Sequence, residues 1–297
     1  MQENIHYTHC PACGSDAIQQ VLHAKDYTVS QQVFAIWHCN SCTLRFTQDV
    51  PGEQAIGNYY QSDNYISHSN TGKGLVNRLY HLVRRFTLSS KKKLVEKVSG
   101  KNTGQLLDVG AGTGAFAGFM QQHGWRVTGL EPDAGARTRA KELHGISLLE
   151  TDALFQLPEG SFDVITMWHV LEHVHALHKY LDQLKTLLKP GGILLIAVPD
   201  YTSEDAAIYQ QYWAAYDVPR HLYHFSPASM RKLIAKHGMA VKNIRPMWFD
   251  SFYVSMLSER YKNGKSNLVK AFWNGLRSNM AASGNKERCS SVIYEIR

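Results

Sequence analysis

The order of hydrophobic and polar positions changes near residue 104. From there on, runs rich in Val, Ile and Leu alternate with stretches of helical periodicity. These runs are "QLLDVG", "WRVTGLE", "ISLLETDA", "FDVITMW" and "ILLIAVP", and later "HGMAVKNIRP" and "SSVIYEI". Nearly continuous apolar strands separated by helices are typical of a parallel sheet that is covered on both faces. The pattern therefore predicts an α/β fold with a doubly wound, mostly parallel sheet.

The rest of the chain has other patterns. Residues 1–50 carry a strand-like run, "VFAIWHC", between two Cys pairs and predict a small β module. Residues 51–72 show neither period, and we interpret them as a linker or a substrate-covering segment. Residues 75–86 place apolar side chains three and four positions apart, which predicts a helix that packs on a core or docks on a membrane surface. Residues 246–289 predict a helical insertion that roofs a pocket or makes a dimer contact.

These patterns suggest three regions. We expect a zinc-ribbon-like module over residues 1–50, a linker with basic amphipathic helices over 51–102, and the α/β domain over 103–297. The longest apolar run, Ile193 to Val198, is too short to span a bilayer, so we expect no membrane insertion. The N-terminus has no apolar signal-peptide core, which favours a cytoplasmic, reducing location. There we expect Cys289 to be a small buried hydrophobic residue near the last strand.

A glycine loop joins the first strand of the α/β region to its first helix. Gly110, Gly112 and Gly114 in "LLDVGAGTGAF" allow a sharp turn and let a ligand touch the backbone. The spacing is G-x-G-x-G, and Asp108 at the mouth would repel a phosphate but orient an ammonium group. Glu131 ends the second strand, where a carboxylate accepts hydrogen bonds from both ribose hydroxyls. This arrangement favours an adenosyl group that carries an amino acid.

Residues 104–200 resemble the core of the class I S-adenosylmethionine-dependent methyltransferases. The resemblance rests on five segments in order: "LLDVGAGTG", "GLEPD", "TDA", "FDVITMWHVLEHV" and "LLKPGGILLIAVP". It implies a seven-stranded sheet whose last strand, "SSVIYEI", runs antiparallel, together with a bound S-adenosylmethionine. The predicted fold is thus a Rossmann-like methyltransferase domain with a small N-terminal zinc-binding β module.

The resemblance also assigns cofactor contacts. Asp108 and Gly110 would face the methionine moiety, and Glu131 would face the ribose. The resemblance implies that Asp152 and Ala153 flank the adenine and that Trp168 and His169 line the methyl-bearing end. The full predicted set also contains Ala111, Gly112, Gly114 and Pro132. We expect His173 to cap the next helix or to point outward.

Candidate catalytic residues follow the fifth strand in "YWAAYDVPRHLYHFSP". His221 is a candidate general base, because a histidine titrates near neutral pH, and Asp217 and His224 are further candidate catalytic residues. The alternative is that these residues fix the loop on the core, with Ser226 as the cap of the next helix and Pro227 in its first turn. The loop loosely resembles that of sugar C-methyltransferases, which also carry an N-terminal zinc module. Here only His221 and Phe225–Ser226 match it.

Two Cys-x-x-Cys pairs stand 25 residues apart in the N-terminal module. Cys10, Cys13, Cys39 and Cys42 match the spacing of a four-thiolate zinc site, which favours one structural metal over redox cycling. Four thiolates leave no open position for water, so we expect this zinc to take no part in catalysis.

Charge separates the remaining functional alternatives. The chain carries a net charge of +7, and residues 73–101 hold nine Lys or Arg against one acid, whereas the module is net acidic. The alternative function is an RNA methyltransferase that uses the zinc module and the basic helix. RNA binding needs clustered basic residues, which the helical segment has and the acidic module lacks. A non-enzymatic scaffold is a further alternative, which the intact glycine loop disfavours. We predict methyl transfer to the oxygen or nitrogen of a small or saccharide-like molecule. Ubiquinone-type O-methyltransferases resemble the core equally well but lack the cysteine module.

Overall fold

The computed structural model describes residues 4–60 and 75–297 of the 297-residue chain, without side-chain detail for 75–85. Its strands are β1 (Asn4–Ile5), β2 (Ile18–Lys25), β3 (Val33–Cys39), β4 (Arg45–Thr47), β5 (Val50–Pro51), β6 (Gln105–Val109), β7 (Arg126–Leu130), β8 (Phe162–Trp168), β9 (Leu188–Pro199), β10 (Tyr223–His224), β11 (Val241–Pro246) and β12 (Ser291–Ile296). Its helices are α1 (Leu75–Ser99), α2 (Ala115–Gln122), α3 (Ala134–His144), α4 (Leu177–Leu187), α5 (Glu204–Tyr209), α6 (Pro227–Lys236), α7 (Asp250–Asn263) and α8 (Leu268–Gly284).

The fold is the predicted Rossmann-like α/β arrangement. Six of the described strands form the main sheet in the order β11-β12-β9-β8-β6-β7, and β6 pairs in parallel with both β7 and β8. The predicted strand "ISLLETDA" is reduced in the described residues to one parallel bridge between Leu130 and Leu149, followed by a 3-10 turn over Thr151–Gln156. The side chain of Leu149 is 44% exposed, and the polar residues after it cannot fill a buried strand position.

The described chain forms two compact units. One contains residues 4–60, 171–178 and 197–294, and is called here the cysteine unit. The other contains residues 75–170, 179–196 and 295–297, and is called the glycine-loop unit. Of the predicted linker over 51–72, residues 61–72 lie outside the described residues. Of the predicted apolar helix positions over 75–86, those in 75–85 lie outside the described side chains.

The cysteine unit has its own four-stranded sheet, in the order β10-β4-β3-β2. β3 coincides with the predicted strand "VFAIWHC", and it pairs antiparallel with β2 and with β4. The fourth strand comes from far along the chain, because Tyr223 of β10 lies opposite Phe46 of β4. The candidate catalytic loop is therefore part of the sheet that carries the cysteine module.

The start of α6 is capped as the sequence predicts. The Ser226 side chain accepts a hydrogen bond from the Ser229 amide at the start of α6, with Pro227 in the first turn.

The predicted helical insertion consists of α7 and α8, whose outward face exposes Phe272 and Trp273 by 53% and 61%. Cys289 is buried two residues before β12, as predicted, and burial raises the pKa of its thiol to about 12. Across 4–60 and 75–297, no helix combines the length and the apolar character needed to cross a bilayer.

Candidate functional site

The carboxyl ends of three parallel strands bring the predicted cofactor residues to one edge of the sheet. In the register, Asp108 of β6 lies opposite Gly129 of β7 and Thr166 of β8. The glycine loop follows β6, Glu131 follows β7, and Trp168 ends β8. In open α/β sheets, ligands bind outside this edge of the strands.

The glycine loop is a left-handed turn with one open side. Gly110, Gly112 and Gly114 have φ angles of 71°, 55° and 74°, a region that other residues enter at a cost. A Cβ atom on Gly110 would lie 2.3 Å from the Val170 side chain, so the loop packs closely there. A Cβ atom on Gly112 would meet nothing within 4 Å. The backbone at Gly112 is thus open to a ligand, while its neighbours are held by packing.

Glu131 is tied directly to this loop. Its Oε2 accepts a hydrogen bond of 2.8 Å from the Gly112 amide, and its Oε1 accepts one of 3.0 Å from the Asp133 amide. Burial raises the pKa of the Glu131 carboxyl, although these two amides act in the opposite direction. A carboxylate offers about four lone-pair positions, so two remain for a ligand's hydroxyl groups.

Asp108 is more enclosed than the sequence predicts. Its side chain is 1% exposed, and its Oδ1 accepts a hydrogen bond of 2.7 Å from the Thr166 hydroxyl. Burial raises the pKa of this carboxyl to about 6, while the Thr166 hydroxyl and the Lys91 charge act to lower it. The carboxyl is therefore held in place by the neighbouring strand.

Lys91, which the sequence places only within a basic segment, contacts the aromatic end of β8. Its ammonium lies 4.2 Å from the centre of a Trp168 ring and 5.8 Å from that of Phe116, which packs edge-on against Trp168. A cation over an aromatic face is attracted by the ring quadrupole. The signal in the sequence is weak, because "KKK" gives no sign of which lysine faces the sheet.

The remaining predicted cofactor residues are more accessible. His169 is half-buried and has a φ angle of 58°, a strained backbone position directly after β8. Ala111 is half-buried, and its amide and that of Gly110 both donate to the Leu130 carbonyl. Pro132 and Asp152 are exposed, and Ala153 is half-buried in the 3-10 turn beside them in the chain.

In the cysteine unit, Asp217 forms an ion pair with Arg220. The guanidinium donates to Oδ1 at 2.7 Å and to Oδ2 at 3.0 Å, so both carboxylate oxygens are engaged. Arg220 is 1% exposed and also donates to Asp26 Oδ1 at 3.0 Å and to the Tyr59 carbonyl at 2.8 Å. Burial opposes the ionised form of Asp217, but Arg220 outweighs it and lowers the pKa of this carboxyl. This geometry favours the alternative that the pair fixes the loop.

The two candidate histidines of the loop are both buried. His224 Nε2 lies 3.1 Å from the Thr47 hydroxyl, and burial lowers the pKa of its imidazole well below the usual value. His221 Nδ1 lies 2.9 Å from the Ala215 carbonyl oxygen. A carbonyl only accepts, so Nδ1 of His221 carries the proton and Nε2 holds the lone pair.

His173 differs from its prediction. It neither caps α4, which begins at Leu177, nor points outward, because its ring packs edge-on against His221 with 4.6 Å between ring centres. Burial lowers the pKa of this imidazole to about 4. The residue lies in a 3-10 turn over Leu171–His173, directly after the fully buried Glu172. A turn of three residues is too short to show a helical period, so the sequence does not predict that the His173 side chain points inward.

The four cysteines of the module converge. The sulfur atoms of Cys10 and Cys42 are 3.5 Å apart and those of Cys13 and Cys39 are 3.6 Å apart, and all four lie within 4.8 Å of one another. Zinc–sulfur bonds of about 2.3 Å in a tetrahedron imply sulfur separations of about 3.8 Å. The pairs sit in matching turns, in which the Gly14 amide donates to the Cys10 carbonyl and the Thr43 amide to the Cys39 carbonyl. The donor set therefore fits one tetrahedral metal ion.

The sequence of the chain is similar to those of known methyltransferases. A family model described as a methyltransferase domain matches residues 81–243, more than half of the chain. A demethylmenaquinone methyltransferase of Tropheryma whipplei is 32% identical over 129 residues, which are 42% of this chain and 54% of the relative. The chain thus spans about half the length of that relative. A ubiquinone biosynthesis O-methyltransferase of Nitrosococcus oceani is 30% identical over 176 residues, covering 54% of this chain and 72% of the relative.

A solved structure supports the fold. The magnesium protoporphyrin IX methyltransferase of Synechocystis PCC 6803, solved with its bound S-adenosylhomocysteine, superposes with a TM-score of 0.51 at 15% identity. The superposition covers 80% of this chain and 95% of that protein. At this identity the likeness concerns the fold alone.

Proposed function

The chain belongs to the methyltransferase-domain family, and from that premise we propose that it is an S-adenosylmethionine-dependent methyltransferase with a small-molecule acceptor. The observation that carries the proposal is the hydrogen bond of 2.8 Å between the Gly112 amide and Glu131 Oε2. This bond joins the open glycine turn to a carboxylate at the carboxyl edge of the sheet. An adenosyl ligand needs both features in one place.

The residues present fit S-adenosylmethionine. The Cβ side of Gly112 is open, so a ligand can approach the backbone there, and Glu131 keeps lone pairs for two ribose hydroxyls. Asp108 is fixed by Thr166 at the base of the loop, and we assign it to the amino-acid end of the ligand. The cofactor supplies an electrophilic methyl group on a sulfonium. The chain's task is to hold the donor rigidly and to keep water away from it.

The aromatic end of β8 completes the proposed donor site. Trp168 packs against Phe116 with 5.5 Å between ring centres, and Lys91 lies over the Trp168 ring. We assign Trp168 and His169 to the methyl-bearing end, and Asp152 and Ala153 to the adenine. The strained φ of His169 supports this assignment, because such positions cluster at functional sites.

The acceptor is proposed to be a small molecule that is methylated on oxygen or nitrogen. Two curated relatives are named as methyltransferases of ubiquinone and menaquinone biosynthesis, and these names support a small-molecule acceptor for this chain. The RNA alternative has less support. In the basic segment 73–101, Lys92 pairs with Glu96 and Lys101 pairs with Asp163. Acidic side chains of the same chain therefore neutralise part of the positive charge of this segment.

Among the three predicted catalytic residues, Asp217 and His224 are the least suited to proton transfer. Arg220 engages both oxygens of Asp217, and His224 is buried beside Thr47 and Tyr216. His221 retains a lone pair on Nε2, because its Nδ1 proton is held by the Ala215 carbonyl. If the acceptor needs a base, His221 is the residue of this loop whose tautomer suits that role.

The cysteine cluster is proposed to bind one structural zinc ion. The sulfur separations and the burial of Cys10, Cys39 and Cys42 support this role, since four thiolates close the coordination shell. The ion would fix the end of β3 and the turn before β4. Both strands lie in the same sheet as β10. Its contribution is to folding, and its shell leaves no position for substrate.

Isothermal titration calorimetry with S-adenosylmethionine and S-adenosylhomocysteine tests the donor site. We expect saturable binding of one molecule per chain, and the absence of binding would refute the proposal. A methyl-acceptance screen, coupled to enzymatic hydrolysis of S-adenosylhomocysteine, then compares cell metabolites with RNA. Methylation of RNA alone would replace the small-molecule acceptor with the RNA alternative, without affecting the donor site.

A further inference from the structure

A second group of metal-binding side chains lies in the cysteine unit, away in sequence from the thiolates. Glu172, His173 and His221 each offer one donor atom, and these three atoms lie within 4.8 Å of one another. Glu172 and His221 are buried, with exposures of 0% and 9%, and His173 is half-buried. The functional argument so far uses only His221, so the convergence of all three side chains needs its own explanation.

The hydrogen bonds of the two imidazoles select the tautomer that a metal ligand needs. His221 Nδ1 lies 2.9 Å from the Ala215 carbonyl oxygen, and His173 Nδ1 lies 3.0 Å from the Arg220 carbonyl oxygen. Since a carbonyl accepts and never donates, both Nδ1 atoms carry protons and both Nε2 atoms keep their lone pairs. The Tyr60 hydroxyl oxygen, 2.9 Å from His173 Nδ1, is a further partner of the same nitrogen. Metal-binding histidines characteristically donate their other ring proton to such a carbonyl.

The backbone that carries the three side chains is held from several sides. The Leu222 amide donates to the Glu172 carbonyl at 2.8 Å, which joins the two segments beside the cluster. The Thr47 hydroxyl donates to the His221 carbonyl at 2.7 Å. Arg220, whose carbonyl orients His173, is itself fixed through its guanidinium by Asp26. A rigid support of this kind reduces the reorganisation that binding requires.

The donor set has a clear chemical preference. Two imidazoles and one carboxylate are the ligands of many zinc and non-haem iron sites, in which three protein donors leave positions open. The carboxylate of Glu172 is fully buried, and a cation held against it stabilises its charge. Imidazole nitrogen favours first-row transition metals over Mg²⁺ or Ca²⁺, which prefer oxygen donors.

We propose that Glu172, His173 and His221 bind a divalent first-row transition-metal ion, at a site separate from the four cysteines. Donors about 2.1 Å from one ion lie about 3–3.5 Å apart, so small side-chain rotations bring the three onto a common ion. The three protein donors leave open positions for water or for an oxygen donor of a bound molecule. With the ion present, His221 is a ligand through Nε2 and not a free base.

Cobalt binding tests this site without any measurement of activity, so its failure is distinct from failure of methyl-donor binding. The full chain is stripped of metal under reducing, anaerobic conditions and titrated with Co²⁺ alone. We expect two Co²⁺ ions per chain, one with the sulfur-to-cobalt charge-transfer absorption of a thiolate site and one without it. A single ion with thiolate absorption would overturn the proposal.

Matched variants then locate the second ion. In Glu172→Gln and His221→Gln, we expect the affinity of the non-thiolate site to fall by more than about 100-fold, since loss of an outer-shell partner alone costs about 10–100-fold. The thiolate absorption should persist and shows that the cysteine unit remains folded. His23→Gln, at an exposed histidine of β2 in the same unit, should bind both ions. Retention of both ions in Glu172→Gln and His221→Gln would refute the assignment. If a variant does not fold, the number of Co²⁺ ions bound by the wild-type chain tests the proposal.

Discussion

Asp26 and Arg220 form a buried ion pair, with 3.0 Å between Oδ1 and Nη2, although 194 positions separate them in the sequence. Both side chains are 0–1% exposed. Asp26 also accepts hydrogen bonds from the amides of Thr28, Val29 and Ser30 at 2.7–3.1 Å. The pair therefore links the cysteine module to the loop that carries His221.

We expect Asp26→Ala to lower the free energy of unfolding by about 3 kcal/mol, because the buried Arg220 guanidinium loses one carboxylate partner and keeps Asp217. Urea denaturation followed by far-UV circular dichroism measures the change. Asp16→Ala, at an exposed position of the same module, serves as the control and should change the stability by less than about 0.5 kcal/mol. Equal stability of the two variants would show that the pair contributes little.

The pH dependence of stability should reflect Asp163. Burial by itself raises the pKa of this carboxyl, but the Gln105 amide and the ammonium groups of Lys101 and Lys189 outweigh burial and lower the pKa to about 2 from 3.8. A depressed pKa in the folded state means that the stabilisation is fully present above pH 3.8 and is lost as the pH falls towards 2.

Asp163→Asn should accordingly destabilise the protein near neutral pH, and the difference from the wild type should shrink as the solution is acidified. Denaturation series at several pH values measure this difference. Glu142→Gln changes an exposed acid on α3 and should show no comparable trend. A difference for Asp163→Asn that stays constant down to pH 2 would contradict the linkage argument.

The sequence predicts those features that local pattern determines. Apolar runs locate β6, β7, β8 and β9, because strands buried on both faces need continuous hydrophobic residues. The glycine spacing predicts the left-handed turn over Gly110–Gly114, and the cysteine spacing predicts which four sulfur atoms meet. In each case, the residues that determine the feature are close in the chain or share a distinctive chemistry.

Other features depend on pairings that no local pattern records. β10 is only two residues long, and its pairing of Tyr223 with Phe46 spans 177 positions. The inward direction of His173 depends on the Arg220 carbonyl, which comes 47 residues later. The predicted third strand of the sheet is a single bridge at Leu149, because the residues after it are too polar for a buried edge. Tertiary contacts decide the pairing of β10 and the direction of His173, whereas the polarity of the segment itself limits the third strand.

Gly112 provides a test of the cofactor turn with an internal control. Gly112 and Gly145 both have positive φ angles, 55° and 67°, and a Cβ atom on either would meet nothing within 4 Å. Substitution by Ala should therefore cost each about 1–2 kcal/mol of stability for the left-handed backbone. Only Gly112→Ala places a methyl group in the proposed donor site, so only this variant should lose affinity for S-adenosylhomocysteine in calorimetry. Equal affinities in both variants would remove Gly112 from the site.

Glu131 tests the proposed ribose contact. We expect Glu131→Ala to weaken S-adenosylmethionine binding by about 1–3 kcal/mol, or about 5–150-fold, because two hydroxyl groups lose their acceptor. The affinity is measured by calorimetry, and thermal denaturation shows whether the loss of the bond to the Gly112 amide also unfolds the chain. Glu142→Gln again provides the control, at a distance from the loop in sequence. Unchanged affinity in a folded Glu131→Ala protein would exclude a ribose contact.

Cys42 and Cys289 give a matched pair that tests the proposed structural metal, because both are buried, with exposures of 1% and 0%, and only Cys42 belongs to the sulfur cluster. Cys42→Ser should abolish the sulfur-to-cobalt absorption of a tight site and lower the midpoint of thermal unfolding, since metal binding contributes to the folding of such modules. Cys289→Ser should keep the absorption. The destabilisation in Cys42→Ser should extend to the loop that bears His221, because β3, β4 and β10 share one sheet, and amide hydrogen exchange at Tyr223 measures this effect. Faster exchange at Tyr223 in Cys289→Ser but not in Cys42→Ser would contradict a bracing role for the metal.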